Sequence, residues 1–315
     1  MWGRGGGIEA GMRLCAVSVD LDEVHHYFRI HGLGEPEGPS AHAVYDVAVE
    51  RCLDFARELK LPLTLFAVSA DLARAANAAV LRRALVEGHE IGSHSRDHLY
   101  DLVRRSREQQ QEQVSGALSD FEAHLGMRPR GFRAPGYTVT DELLEVVREA
   151  GHLYDSSVFP CPPYYAAKVV AMAGLRLRGR RSQAILDNPS VLSAPTRPYR
   201  VGRPYTRAGD GLWELPIQVT RGPRLPYIGT GLILAGQLGA RGLTELVVGE
   251  PFINLELHGI DFLAAEDGLE ALRGYQPDVR VGVAQKRAIL GSVLSRLRAA
   301  GYRFVKLEDA TVAAA

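Results

Sequence analysis

The chain has 315 residues, 46% hydrophobic and 23% charged, the balance of a globular protein with a large buried core. Its 37 Lys and Arg offset 37 Asp and Glu, so no net field draws it toward nucleic acid or an anionic membrane. Cys15, Cys52 and Cys161 are widely spaced and form no C-x-x-C pair, which argues against a disulfide framework and a thiolate zinc site and favours a reducing, cytoplasmic compartment.

Residues 1–11 are glycine-rich, lack the apolar stretch of a secretory signal, and read as a disordered leader before a single domain over 12–315. No segment reaches the roughly 18 apolar residues that span a bilayer. From Arg13 onward, short apolar, β-branched runs alternate with longer segments of helical period. Strands are expected at Leu14–Val19, Leu63–Val68, Glu90–Ser93, Gly131–Arg133 and Leu153–Asp155. Helices are expected between them at Ala41–Leu59, Asp71–Val86, Ser106–Leu125 and Asp141–Ala150. The last has Thr140 as its N-cap, Asp141 and Glu142 in its first turn and Gly151 just past its end.

A stretch over 160–210, rich in Pro, Gly and Arg, breaks this rhythm and reads as an insertion or loop system that would set specificity. The rhythm returns with strands at Trp213–Val219 and Phe252–Leu257, a helix at Val281–Ala299 and a last strand at Phe304–Leu307. About seven such units imply an α/β fold, a distorted (β/α)7-type barrel, with its chemistry where the βα loops converge at the C-terminal strand ends.

Polar residues gather at those ends: Asp20 and Asp22, His94 and His98, Arg133, Asp155, and His258. Bringing so many ionisable groups to one rim is costly without a compensating charge such as a metal ion. His94 and His98, four residues apart in HSRDH, would share one side of a helical turn as a metal-binding pair, or be two polar residues of a surface loop. Asp20 and Asp22 share a strand face in SVDLDE, so one could hold a metal and the other accept a proton; a solvated acidic turn is the alternative.

The segments SVDLDE, HSRDH, RAPGY, DSS and LELH follow the order and approximate spacing of the five motifs of polysaccharide deacetylases, the NodB-homology or carbohydrate esterase 4 family, which the chain resembles from about residue 18 to 258. The resemblance implies Asp20 as general base, with Asp22, His94 and His98 holding a divalent metal: zinc, or cobalt, nickel or iron. It further implies that Arg133 orients the base, that the backbone N–H of Tyr137 stabilises the oxyanion, and that His258 is the general acid. Arg133 and Asp155 invite a pairing in which one guanidinium sits between two carboxylates. Leu21 separates the first two aspartates, as in the branch with peptidoglycan deacetylase-like and allantoinase-like members. Trp213-Glu214-Leu215-Pro216 also resembles that branch, with Glu214 within reach of the rim.

The expected activity is hydrolysis of an N-acyl group, acetyl or formyl, on an amino sugar or a related small or lipid-linked molecule. The partner is thus a small-molecule substrate, with no nucleic acid and with homo-oligomers open. Two other readings stand: hydrolysis of another non-peptide C–N bond, as in a ureide or cyclic imide, and a non-haem iron oxygenase built on two histidines and a carboxylate.

Overall fold

The computed structural model describes residues 12–177 and 183–314, so the expected leader at 1–11 lies outside the described residues. In chain order the elements are β1 (Arg13–Asp20), α1 (Val24–Ile30), α2 (Val49–Leu59), β2 (Thr64–Ala67), α3 (Ala75–Val86), β3 (Glu90–Ser93), α4 (Arg107–Gln111) and α5 (Ala117–Leu125). There follow β4 (Gly131–Phe132), α6 (Asp141–Glu149), β5 (Tyr154–Asp155), α7 (Pro162–Leu177), β6 (Tyr199–Val201), β7 (Ala208–Glu214) and α8 (Gly229–Glu245). The chain ends with β8 (Phe252–His258), α9 (Val283–Ala299), β9 (Tyr302–Val305) and α10 (Leu307–Ala314).

One curled sheet runs β6-β7-β5-β4-β3-β2-β1-β8, with β9 also pairing with β1. Every pairing is parallel except β6 with β7. This is the distorted (β/α)7 barrel expected of the βα rhythm. β1, paired with β8 from Leu14 to Asp20 and with β2 and β9 over its two ends, is buried at every position but Arg13, which is why it reads as a continuous apolar run. Between β7 and β8 the ladder gives way to irregular backbone. There the Asn254 side-chain amide donates to the carbonyls of Leu215 and Pro216 at 3.0 and 3.3 Å, and Gln218 N–H donates to Asn254 O at 3.1 Å. These bonds close the barrel where strand pairing does not.

Caps set the helices where the sequence places them. Thr140 Oγ1 accepts from Leu143 N at 3.2 Å to start α6, and Gly151 turns the chain beyond it at φ 91°. Ser106 and Gln109 form a reciprocal capping box at α4. The helical segment expected over 106–125 is α4 and α5 joined by a π-turn at Glu112–Gly116.

Three expectations need correction. The stretch 160–210 is not wholly irregular: it holds α7 and the β6 strand, and β7 begins at its end. α7 reads PPYYAAKVVAMAGLRL, which has no polar face and so shows no amphipathic period. α8 escapes the pattern because five glycines, Gly229, Gly231, Gly236, Gly239 and Gly242, dilute its helical signal, and the helix breaks at Gly236. The final strand ends at Val305, and Leu307 already begins α10.

The barrel interior is stratified. At the N-terminal end, buried Glu90 accepts from Thr64 Oγ1 (2.8 Å) and Tyr154 Oη (2.7 Å), and burial pushes its pKa up to about 7. In the middle, the Phe66 ring fills the space left by Gly92, where an added Cβ would stand 2.5 Å from the ring. The guanidinium of Arg133 rests 4.2 Å from the centre of that ring. Gly92→Ala should therefore displace Phe66 and cost about 1–3 kcal/mol of stability, whereas Gly34→Ala, into open space, should stay within about 0.5 kcal/mol. Urea denaturation midpoints compare the two, and equal midpoints would show that the interior yields freely.

Candidate active site at the C-terminal mouth of the barrel

The strand register brings the polar ends together. Asp20 at the end of β1 stands beside His258 of β8 on one side and Phe66 of β2 on the other. His94 extends β3 by donating its N–H to Ala67 O at 2.9 Å, and Arg133 extends β4 by donating to Ser93 O at 2.9 Å. Asp155 closes β5 in register with Phe132.

The residues from Ser95 to His98 do not form a helical turn. Ser95 and His98 both adopt left-handed backbone, φ 65° and 53°, and this curl returns the second imidazole toward the first. Asp22 Oδ1 lies 3.1 Å from His94 Nε2 and 3.2 Å from His98 Nε2. All three residues are buried, and their ligand-type atoms lie within 4.8 Å of one another. His94 Nδ1 sits 2.8 Å from the Arg133 carbonyl, a partner that fixes Nδ1–H as donor and turns Nε2 toward Asp22. The His98 ring is wedged between His26 (4.2 Å) and Tyr100 (4.7 Å). Burial opposes the charge on Asp22, yet His98 and His94 outweigh it and hold the carboxyl well below its usual range.

Asp20 is held from behind. Its Oδ1 accepts from Arg133 Nη1 at 2.6 Å, while Oδ2 has no hydrogen-bond partner and lies 3.8 Å from His94 Nε2. Arg133 is fully buried, and three more of its N–H groups donate to Ser156 O (2.7 Å), Ser156 Oγ (2.8 Å) and Ser18 Oγ (2.9 Å). The expected sharing of Arg133 between Asp20 and Asp155 is therefore not what forms. Asp155 accepts from Ser157 N and Oγ at 3.0 and 2.8 Å and hydrogen-bonds Glu214. Burial first, and then the neighbouring charge of Asp155, drive the Glu214 carboxyl well above its ordinary value, so it keeps a proton for this pair. Ser157 Oγ accepts in turn from Ala134 N at 2.8 Å. Asp155 and Glu214 thus support the loop after β4 from within the core, and Glu214 is fully buried instead of reaching the rim.

Tyr137 also differs from expectation. Gly136 and Tyr137 are both left-handed, at φ 62° and 59°, and the Tyr137 N–H donates to Ala134 O at 3.1 Å within the turn. Its hydroxyl makes the contact across the mouth, 3.1 Å from His258 Nε2. On the other edge of that ring, Nδ1 lies 2.9 Å from Glu256 Oε1, off the line of a well-formed hydrogen bond, so the contact is chiefly electrostatic. Burial disfavours the imidazolium, but the Glu256 carboxylate, with Asp20 and Asp22, overrides it and holds the His258 pKa well above its usual value. Glu256 went unremarked in the sequence, although its place two residues before His258 on one strand puts both on the same face.

Asp20, Asp22, His94, Tyr137 and His258 line a cavity of about 510 Å³ at the mouth of the barrel. Fold and site together define an α/β barrel whose strand ends gather one Asp-His-His cluster and a second cluster of Asp20, Glu256 and His258. Comparison with known proteins finds a likeness to the polysaccharide deacetylases over part of the chain. Residues 38–154 match the family model described as polysaccharide deacetylase, a span that contains His94, His98, Arg133 and Tyr137. A peptidoglycan-N-acetylglucosamine deacetylase of Bacillus cereus is 32% identical over 100 residues, 32% of this chain and 45% of that protein. The chain thus spans less than half the length of this curated relative.

Solved structures extend the likeness in fold to nearly the whole chain. A protein from Mycobacterium smegmatis classed with the polysaccharide deacetylases superposes with a TM-score of 0.52 at 19% identity, over 95% of this chain and 96% of the other. Puue allantoinase superposes with a TM-score of 0.59 at 17% identity, over 94% and 88%.

If Asp22 and His94 are ligands, Asp22→Ala and His94→Ala should each lose stoichiometric zinc after equilibration and dialysis. Elemental analysis of the folded variants reads this directly, and full metal content in both would remove the assignment.

Proposed function

We propose that the protein is a metal-dependent hydrolase that removes an N-acyl group, acetyl or formyl, from an amino sugar or a related small amine. The observation that carries this reading is the convergence of Asp22 Oδ1, His94 Nε2 and His98 Nε2, with the partnerless Asp20 Oδ2 beside them. Asp22 Oδ1 and His98 Nε2 have no well-formed hydrogen bond although both are buried, a costly state that a cation would relieve. Two imidazoles and one carboxylate suit zinc, with cobalt, nickel and iron as alternatives. A divalent ion held there would polarise the scissile carbonyl and acidify water.

The chain's own residues supply the proton chemistry. Asp20, locked at Oδ1 by Arg133, presents Oδ2 as general base. His258, kept protonated by Glu256, donates to the departing amine, which is too basic to leave as an anion. Tyr137 fixes the imidazole from its other edge and completes the wall around the reacting carbonyl. Asp155, paired with Glu214, acts at one remove by holding the loop that carries Tyr137. The segment 160–210 sets specificity within the one domain, since α7 forms a wall of the cavity. Three buried free thiols, Cys15, Cys52 and Cys161, fit a cytoplasmic setting, and no described helix is long and apolar enough to cross a membrane.

Asp20→Asn should retain metal and reduce acetate or formate release by about 10²–10⁴-fold. Near wild-type turnover would exclude Asp20 as base. Glu256→Gln should act through pH. Removing the carboxylate destabilises the imidazolium and lowers the His258 pKa, so the alkaline fall in kcat/KM should begin at lower pH than in the wild type. An unmoved alkaline limb would mean that His258 is not the acid.

A further inference from the structure

The cavity is divided by chemistry. Its inner end holds the ionisable groups and a ring of tyrosines, Tyr27, Tyr100, Tyr137 and Tyr164. Two helices start at that end and run outward. On α7, Tyr164 meets the Tyr137 ring at 6.0 Å, and Ala167, Ala171 and Met172 continue the same face toward the exit. On α8, Thr230 hydrogen-bonds Asp261, which in turn accepts from His258 N, and Leu234 follows one turn further out. The eight helical steps from Tyr164 to Met172, about 1.5 Å each, make this outer cleft about 12 Å long. Ile30, Pro226 and Ile228 complete its apolar lining. Its polar exceptions are already engaged: Lys168 Nζ donates to Gly136 O at 3.1 Å, and His31 Nε2 lies 3.4 Å from Gln276 Oε1.

α7 carries a second sign. Over its described positions none of its side chains is fully buried, although 13 of the 16 residues in PPYYAAKVVAMAGLRL are neither charged nor glycine. A helix apolar on every side is ordinarily core. Here Ala167, Ala171 and Met172 face a cleft that none of the described residues fills, opposite Leu234, which is 50% exposed. A hydrated sugar chain would find few hydrogen-bond partners on such walls, and burying its hydroxyls there would be unfavourable.

We propose that the substrate is amphipathic: an N-acylated amine whose polar head enters the tyrosine-lined end while an attached aliphatic chain lies in the cleft between α7 and α8. The proposal rests on the N-acyl hydrolase reading for the head alone. The chain provides the cover that the inner face of α7 lacks, and the cleft leads without interruption from the reacting carbonyl to solvent.

Titration of the metal-loaded protein with alkyl N-acetylglucosaminides from methyl to decyl, below their micelle concentrations, tests it. Affinity should rise by up to about fourfold for each methylene that enters the cleft. Leu234→Glu and Ala171→Glu, both at exposed positions compatible with folding, should each flatten that rise. Equal affinity for the methyl and decyl compounds would overturn the proposal, as would a rise unchanged in both variants. Acetate release from the same compounds reads the hydrolase assignment separately: chain-dependent binding without hydrolysis would keep the cleft's ligand class and sink the deacylase reading.

Discussion

The ion pair between Arg133 and Asp20 is the constraint around which the site is arranged. Both side chains are shut away from water, and breaking such a pair by removing one partner typically costs about 3–5 kcal/mol. The protein meets the desolvation of the guanidinium by giving its N–H groups to Ser18, Ser156 and Asp20 and by laying its plane on Phe66. Phe66 has room because β3 carries Gly92 at the adjoining position. A glycine in one strand, an aromatic in the next and an arginine in a third thereby fix the orientation of a carboxylate in a fourth.

The mouth of the barrel is electrostatically unbalanced in a directed way. Asp20, Asp22 and Glu256 bring three carboxylates into one buried region, with two imidazoles beside Asp22 and a third beside Glu256. Atoms deeper in the barrel are largely satisfied, as the Ser18–Asn254–Ser156 network shows, whereas partnerless atoms recur at the mouth. Such a gradient, from saturated polar core to unsaturated rim, separates residues that hold the scaffold from residues free to meet a ligand.

Much of this was legible in the sequence because it depends on strand ends. Asp20, His94, Arg133, Asp155 and His258 each stop an apolar run, and parallel strands of a barrel deliver their ends to one rim. The connections were not legible. Nothing in Arg133 and Asp155 as letters says that Glu214 takes the second carboxylate, since that depends on β7 lying beside β5. The curl through Ser95 and His98, and the turn that consumes the Tyr137 N–H, need positive φ at residues other than glycine, which composition does not announce. α7 was hidden for the opposite reason: its uniform apolarity erased the periodicity by which helices are found.

The seam beside β8 carries a consequence for how the molecule can change. Where two strands share a full ladder, sliding one against the other breaks a row of bonds at once, and the register is locked. At the seam, the Asn254 carboxamide, the backbone bond from Gln218 N–H to Asn254 O and an isolated bridge between Ile228 and Glu256 stand in for a ladder. β8, which bears Glu256 and His258, is laddered in full to β1 along its other edge, with His258 in register with Asp20. Any widening at the seam therefore carries Asp20 and His258 as one piece, and their spacing does not follow the girth of what enters.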